Sequence, residues 1–149
     1  MNKEFVTYEQ ALALKELGFD EPCLVVWPGI EGQKLGYDGR YFSLVKGYKN
    51  SKLSKEVKKY APGIIDVAAP LYQQAFRWFR EKHNLFCEIQ MDRTTEPKFC
   101  FVIFKYEHFG NYEKVEVDEW YLYRTYEEAE QACLDKLIEI TNAEIKNRG

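Results

Sequence analysis

Four cysteines, two histidines and three serines are the side chains whose types suit nucleophilic, acid–base or metal chemistry in this chain of 149 residues. Cys23, Cys87, Cys100 and Cys133 are widely spaced and form no C-x-x-C pair. A zinc centre drawn from them and from His83 and His108 has to be assembled from distant parts of the chain. In a reducing compartment such cysteines behave as small buried hydrophobes. Ser43, Ser51 and Ser54 lie in no G-x-S-x-G setting, and neither an H-E-x-x-H pair nor a P-loop is present. His108, next to Glu107, is of a residue type suited to general-base chemistry, since a histidine side chain ordinarily titrates near neutrality. Its place in a turn with Gly110-Asn111 reads instead as a solvated surface position. These residues assign no catalytic, cofactor or metal position, and an enzyme here would use a site of a different kind.

Charge is more informative than nucleophiles. The whole chain is near balance, 21 Lys plus Arg against 24 Asp plus Glu. That argues against a dedicated nucleic-acid or membrane-surface protein, which carries a clear positive excess. Locally the balance breaks twice. Lys46, Lys49, Lys52, Lys55, Lys58 and Lys59 against Glu56 give residues 46–59 a net charge of +5. Phosphate contacts from such a run would make nucleic-acid binding strongly salt-dependent; the plainer reading is a solvated loop. Residues 107–130 carry eight acids against Lys114 and Arg124, a net −6. Glu116, Asp118 and Glu119 fall in this stretch beside Trp120, Tyr121 and Tyr123. Strand alternation sends Trp120 and Leu122 to one face and Tyr121 and Tyr123 to the other. If helices cover one face and the N-terminal strands the other, these aromatics are core, and the acids can pair with the lysine run within the molecule; if one face is left open, large aromatics rimmed by acids describe a surface for a basic protein partner. Arg77, Trp78 and Arg80, read on the outer side of their helix, are a smaller instance of the same feature.

The elements that position these groups follow from patterning. Thr7-Tyr8-Glu9-Gln10 is a capping box that opens a helix over 8–17, and Gly18 stops it with Phe19 packing back. Cys23 to Trp27 reads as a strand ended by Pro28-Gly29. Residues 33–37 and 41–45 read as two more strands joined at Asp38-Gly39. The lysine run then forms an exposed loop with at most one helical turn. Pro70 opens a helix over 70–83, with Leu71, Tyr72, Ala75, Phe76 and Phe79 at helical spacing and Asn84 as a left-handed cap. Leu85, Cys87, Ile89 and Met91 form the buried face of a strand, and Lys98 to Tyr106, apolar on both faces, is a central strand. Asp92 to Pro97 and His108 to Glu113 are turns, and a third strand lies within Lys114 to Tyr123. Thr125-Tyr126-Glu127-Glu128 is a second capping box, for a helix to about Ile145 with Ala129, Ala132, Cys133, Leu137 and Ile140 inside and a frayed tail from Lys146. Thr7-Tyr8-Glu9-Gln10-Ala11 echoes Thr125-Tyr126-Glu127-Glu128-Ala129, which reads either as an internal duplication or, more plainly, as the same capping physics selecting the same residues twice.

Helix, strand, strand, strand, helix from residue 70 onward resembles the double-stranded-RNA-binding domain in element order. The resemblance implies a fold and no activity. Glu127-Glu128-Ala129-Glu130 stands where that family carries a lysine cluster over phosphates, and Asp92-Arg93-Thr94-Thr95-Glu96-Pro97 lacks its minor-groove loop character. The whole chain is also similar to a set of small proteins of gut bacterial genomes and their phages. The segments Tyr8 to Leu12, Leu17 to Cys23, Tyr72 to Lys82 and Tyr126 to Glu130 carry that similarity. It implies an accessory protein of a mobile element or its host.

The expectation is therefore an α+β protein: a mainly antiparallel sheet with helices packed on it. It forms one domain over 1–149, with a helix-and-strand half over 1–66 that completes the sheet or core and an αβββα half over 70–145. No run reaches the 18 or so apolar residues of a membrane span, and the start, Met1 to Phe5, has no apolar signal core, so the cytoplasm is the expected compartment.

Overall fold

The structure, a computed structural model, describes residues 4–29, 41–42, 47–53, 55, 66–92, 96, 98–107, 112–117 and 122–149. The fold is α+β, with helices and antiparallel sheets. The chain divides into two compact units, Met1–Leu71 and Tyr72–Gly149.

In the first unit, α1 (Tyr8–Glu16) begins at the expected capping box. The Thr7 hydroxyl accepts from the Gln10 N–H at 3.2 Å, and the Gln10 side chain accepts from the Thr7 N–H at 3.1 Å. It ends as a Schellman motif: Phe19 N–H donates to the Leu14 carbonyl and Gly18 N–H to that of Lys15. Gly18 sits at φ +95°, a region that glycine enters without strain, and Phe19 is fully buried beyond it. Strands β1 (Val25–Trp27), β2 (Tyr41–Phe42) and β3 (Val67–Ala69) form an antiparallel sheet in the order β2-β1-β3.

Strand β3 is not among the strands the sequence pattern predicts. Three buried residues, Val67, Ala68 and Ala69, give no alternation to detect. They pair with Trp27, Val26 and Val25. The expected helix start at Pro70 is displaced for the same reason. Pro70 continues the extended chain, its carbonyl accepting the Val6 N–H at 3.1 Å, and Phe5 bridges Leu71. Trp27 closes this corner by donating its indole N–H to the Val6 carbonyl at 2.9 Å. The expected strand at 33–37 and the Asp38-Gly39 turn lie outside the described residues.

In the second unit, α2 (Tyr72–His83) leads through Asn84, left-handed at φ 54°, into β4 (Leu85–Asp92), β5 (Lys98–Tyr106) and β6 (Tyr112–Val117). These form a meander in the order β4-β5-β6, and α3 (Tyr126–Arg148) packs on β4, β5 and α2. The αβββα order is as expected. The strands of the first unit, however, do not extend this sheet; they form their own. Strand β5 is central, and Cys100, Phe101, Val102 and Ile103 are buried on both of its faces.

Side-chain placement departs from the pattern in several places. On β4 only Leu85 is buried; Cys87 and Ile89 are half-buried, and Met91 is 46 % exposed near the strand's end. The inner face of α3 is Ala129, Glu130, Cys133, Leu134, Leu137, Ile138 and Thr141, while Ala132 and Ile140 lie at its margin. The helix continues through Arg148 rather than fraying at Lys146. Lys146 and Arg148 in its last turn suit the negative end of the helix dipole. Only half of the second capping box forms as expected. Thr125 Oγ1 accepts from the Glu128 N–H at 3.1 Å, but the Glu128 carboxylate accepts from Arg124 N–H, one residue before the cap.

Candidate functional site

Strand β6 carries the acidic stretch, and the sheet order puts it at an edge. Its register on β5 sets Tyr112 opposite Tyr106, Glu113 opposite Lys105, Lys114 opposite Phe104, Glu116 opposite Ile103 and Val117 opposite Val102. Val115 is the extra residue of a bulge between Ile103 and Phe104, the kind of irregularity that edge strands carry. Glu113 is exposed. Among the described residues no strand pairs with the outer side of β6. Its outward N–H and C=O groups are a template for another chain.

Tyr123, expected as an outward aromatic, is instead tied to the sheet. Its backbone exchanges two hydrogen bonds with Phe99, at 2.8 and 2.7 Å, and its ring stacks on Phe101 at 6.2 Å. An aromatic ring gains more from such a half-buried stack than from solvent. The chain therefore leaves β5 at Val117, opposite Val102, and returns to it at Tyr123, opposite Phe99. Asp118, Glu119, Trp120 and Tyr121, the remainder of the expected site, lie outside the described residues and between these two anchors. Trp78 is also not an outward residue. It is buried, edge-on to Phe79 at 5.1 Å and to His83 at 4.8 Å, while Arg77 and Arg80 stay exposed. Position 78 falls one turn from Ala75, so it widens the apolar face of α2.

The lysine run is anchored at its middle. Lys46, Lys58 and Lys59 lie outside the described residues, as does His108. Lys49 is half-buried and Lys52 and Lys55 are exposed around a helical turn in which Leu53 N–H donates to the Lys49 carbonyl at 3.0 Å. Asn50, a position that reads as loop punctuation, is buried. Its amide donates to the Phe19 carbonyl at 2.9 Å, and its oxygen accepts the Ala68 N–H at 3.0 Å. Asp20 accepts the Ser51 N–H at 2.7 Å. Burial opposes ionisation of Asp20, but the bonds from Ser51 and the charges of Lys49 and Lys55 outweigh it and hold the carboxyl below its usual range. An open hollow of about 240 Å³ is lined here by Lys15, Gly18, Phe19, Asp20, Asn50 and Ser51. The Asp20 carboxylate in its wall makes it a poor anion site.

A third cluster has no charge-run signature. On the helix side of the second sheet, Cys133 is buried on α3, and the neighbouring Cys87 thiol together with burial hold its thiol above the ordinary range. Glu130, one turn before Cys133 on α3, is buried and accepts from the Gln73 amide at 3.3 Å. Burial pushes its carboxyl above the ordinary range, Gln73 partly opposing this and Glu127 adding to it. The sequence signals were the inward parity of Cys87 on its strand and the i, i+3 spacing of Glu130 and Cys133. All four cysteines are free, and among the described residues no three His, Cys, Asp or Glu side chains converge to hold a metal ion. Among the same residues no helix is long and apolar enough to cross a membrane. No protein-family model, curated protein or solved structure matches the chain.

Proposed function

We propose that this chain is a non-catalytic accessory protein of the cytoplasm that binds a basic protein partner along the β6 edge and the acidic, aromatic segment following it. The observation that carries the reading is the edge position of β6 in the order β4-β5-β6, in the most acidic stretch of the chain. An incoming strand adds main-chain hydrogen bonds to such an edge, and the carboxylates of Glu113, Glu116, Asp118 and Glu119 steer and select a basic one. The return to β5 at Tyr123 supports it further, because residues 118–121 fall in the chain between two residues paired with β5, Val117 and Tyr123. Interfaces draw their largest contributions from Trp and Tyr, the types at positions 120 and 121.

The test is affinity capture from the native host with two baits, the natural chain and the variant Glu116→Lys, Asp118→Lys, Glu119→Lys. The reading predicts a captured protein that is lost with the reversed bait. Equal recovery by both baits sinks it. A nucleic-acid role for the lysine run is the weaker reading, since the chain as a whole carries net negative charge and Lys49 is half-buried. Gel shift at low salt with single-stranded and duplex probes decides that reading, and no shift dismisses it.

A further inference from the structure

We infer that the chain forms a two-fold dimer through the other edge of its second sheet, β4 of one copy pairing antiparallel with β4 of a second. The order β4-β5-β6 leaves β4 at an edge, and among the described residues no strand pairs with its outer side. Tyr106 N–H donates to the Asn84 carbonyl, and the register then runs unbroken from Leu85 opposite Lys105 to Asp92 opposite Lys98. Hydrogen bonding alternates along an antiparallel ladder, so the even-numbered residues of β4 bond to β5. The N–H and C=O groups of Leu85, Cys87, Ile89 and Met91 point outward.

Edges that stay single are blunted by bulges, lysines, prolines or shortness. Strand β6 follows that rule, with Lys114 and a bulge at Val115. Strand β4 does not. It is eight residues long, holds no Lys, Arg or Pro, and pairs with β5 without irregularity. Its far end is also apolar and open. Met91, 46 % exposed, stands opposite Phe99, and Phe99 meets the ring of Tyr126, 42 % exposed, edge-on at 6.0 Å.

An antiparallel edge is its own complement under a two-fold axis, and pairing β4 with β4 closes at two copies. Charge then selects the register. Centred on Glu88, the pairing sets Glu88 against itself; centred on Gln90, it sets Glu88 against Asp92. Like charges directly opposite oppose pairing. The register centred on Ile89 avoids both. It pairs Phe86 to Asp92 throughout, with Glu88 of each copy opposite Gln90 of the other, Met91 opposite Cys87, and Ile89 opposite Ile89 on the axis. Glu88 and Gln90 are exposed on the same face of β4, where the Gln90 amide donates to the Glu88 carboxylate at 3.2 Å. The same donor and acceptor meet again across the axis.

The experiment is sedimentation velocity of the purified full chain from low to high micromolar concentration, beside Gln90→Lys and Gln90→Glu. Position 90 is exposed, so both variants keep the fold, which circular dichroism checks. The natural chain is expected to dimerise with concentration. Gln90→Lys sets two Lys–Glu pairs across the axis and tightens the dimer. Gln90→Glu sets two Glu–Glu pairs there and weakens it, the dissociation constant moving about tenfold in each direction at low salt. Hydrogen exchange at the amides of Cys87, Ile89 and Met91 slows in the dimer, while exchange along β6 is unchanged. The result stands apart from partner capture at β6, which uses the opposite edge of the sheet. A chain that sediments as a monomer at every concentration overturns the inference. A dimer that neither variant moves, or one that protects β6 and leaves β4 exchanging freely, overturns it equally.

Discussion

Replacing Asn50 with alanine tests how the first unit is held together. Both partners of its side chain are backbone groups of buried residues: the Phe19 carbonyl just beyond α1 and the Ala68 N–H on β3. Strand β3 is an edge of its sheet, and Asn50 satisfies the outward-facing Ala68 N–H that β1 does not reach. Alanine removes both bonds and supplies no substitute. Each buried group left unpaired costs about 1–3 kcal/mol, and with partial relaxation the pair amounts to about 2–4 kcal/mol. At a urea dependence of about 2 kcal/mol per molar, the unfolding midpoint falls by about 1–2 M. Urea titration followed by far-ultraviolet circular dichroism measures the shift, and hydrogen exchange at the Ala68 amide reports the local loss. Asn50→Asp sharpens the result. Its carboxylate still accepts from Ala68 but cannot donate to Phe19, and protonation at low pH restores a donor, so its deficit shrinks as pH falls. A loss below about 0.5 kcal/mol in Asn50→Ala, the range of an ordinary surface change, refutes the reasoning.

Three further outcomes follow from the same structure. Gly47 has φ +57°, and a Cβ there would lie 2.6 Å from Pro22 Cβ, so Gly47→Ala costs about 1–2 kcal/mol from the backbone alone and more from the clash, read as a lowered melting temperature. Glu130 has a carboxyl raised chiefly by burial, so its contribution is fully present below the ordinary glutamate value of about 4.3 and is lost as pH rises through the raised one. Glu130→Gln keeps an acceptor for Gln73 and flattens that fall; a stability–pH curve parallel to the natural one contradicts this. His83 has its pKa lowered by burial, with Arg148 adding and Glu144 opposing, and its buried Nε2 has no hydrogen-bond partner among the described residues. Its contribution is present above the ordinary histidine value of about 6.5 and is lost as pH falls from there through the lowered one, so His83→Phe should hold its melting temperature at pH 7.5 and reduce the loss on acidification.

Local chemistry was the legible part of the fold. Thr7 with Gln10, Gly18 with Phe19, and Asn84 are each fixed by the geometry of one helix end, and each stands where its residue type predicts. The αβββα order was legible because β5 is long and apolar on both faces. Long-range features were not. Val67 to Ala69 become a strand only because β1 lies beside them, and three residues carry no period. Asn50 looks like any loop asparagine until its partners, 31 and 18 residues away, are known. Trp78 lies between exposed residues 77 and 80, and whether it faces in or out depends on how wide an arc the helix buries. Of the candidate site, the sequence supplied the charge run, while the edge position of β6 and the tie of Tyr123 to Phe99 come from strand pairing alone.

Amide hydrogen exchange of the complex with the captured partner tests the proposed binding edge most directly. The account predicts that amides of Tyr112–Val117 facing away from β5 exchange about tenfold more slowly in the complex, as an added strand requires. Unchanged exchange across β6, with protection confined to residues 47–55, would contradict it.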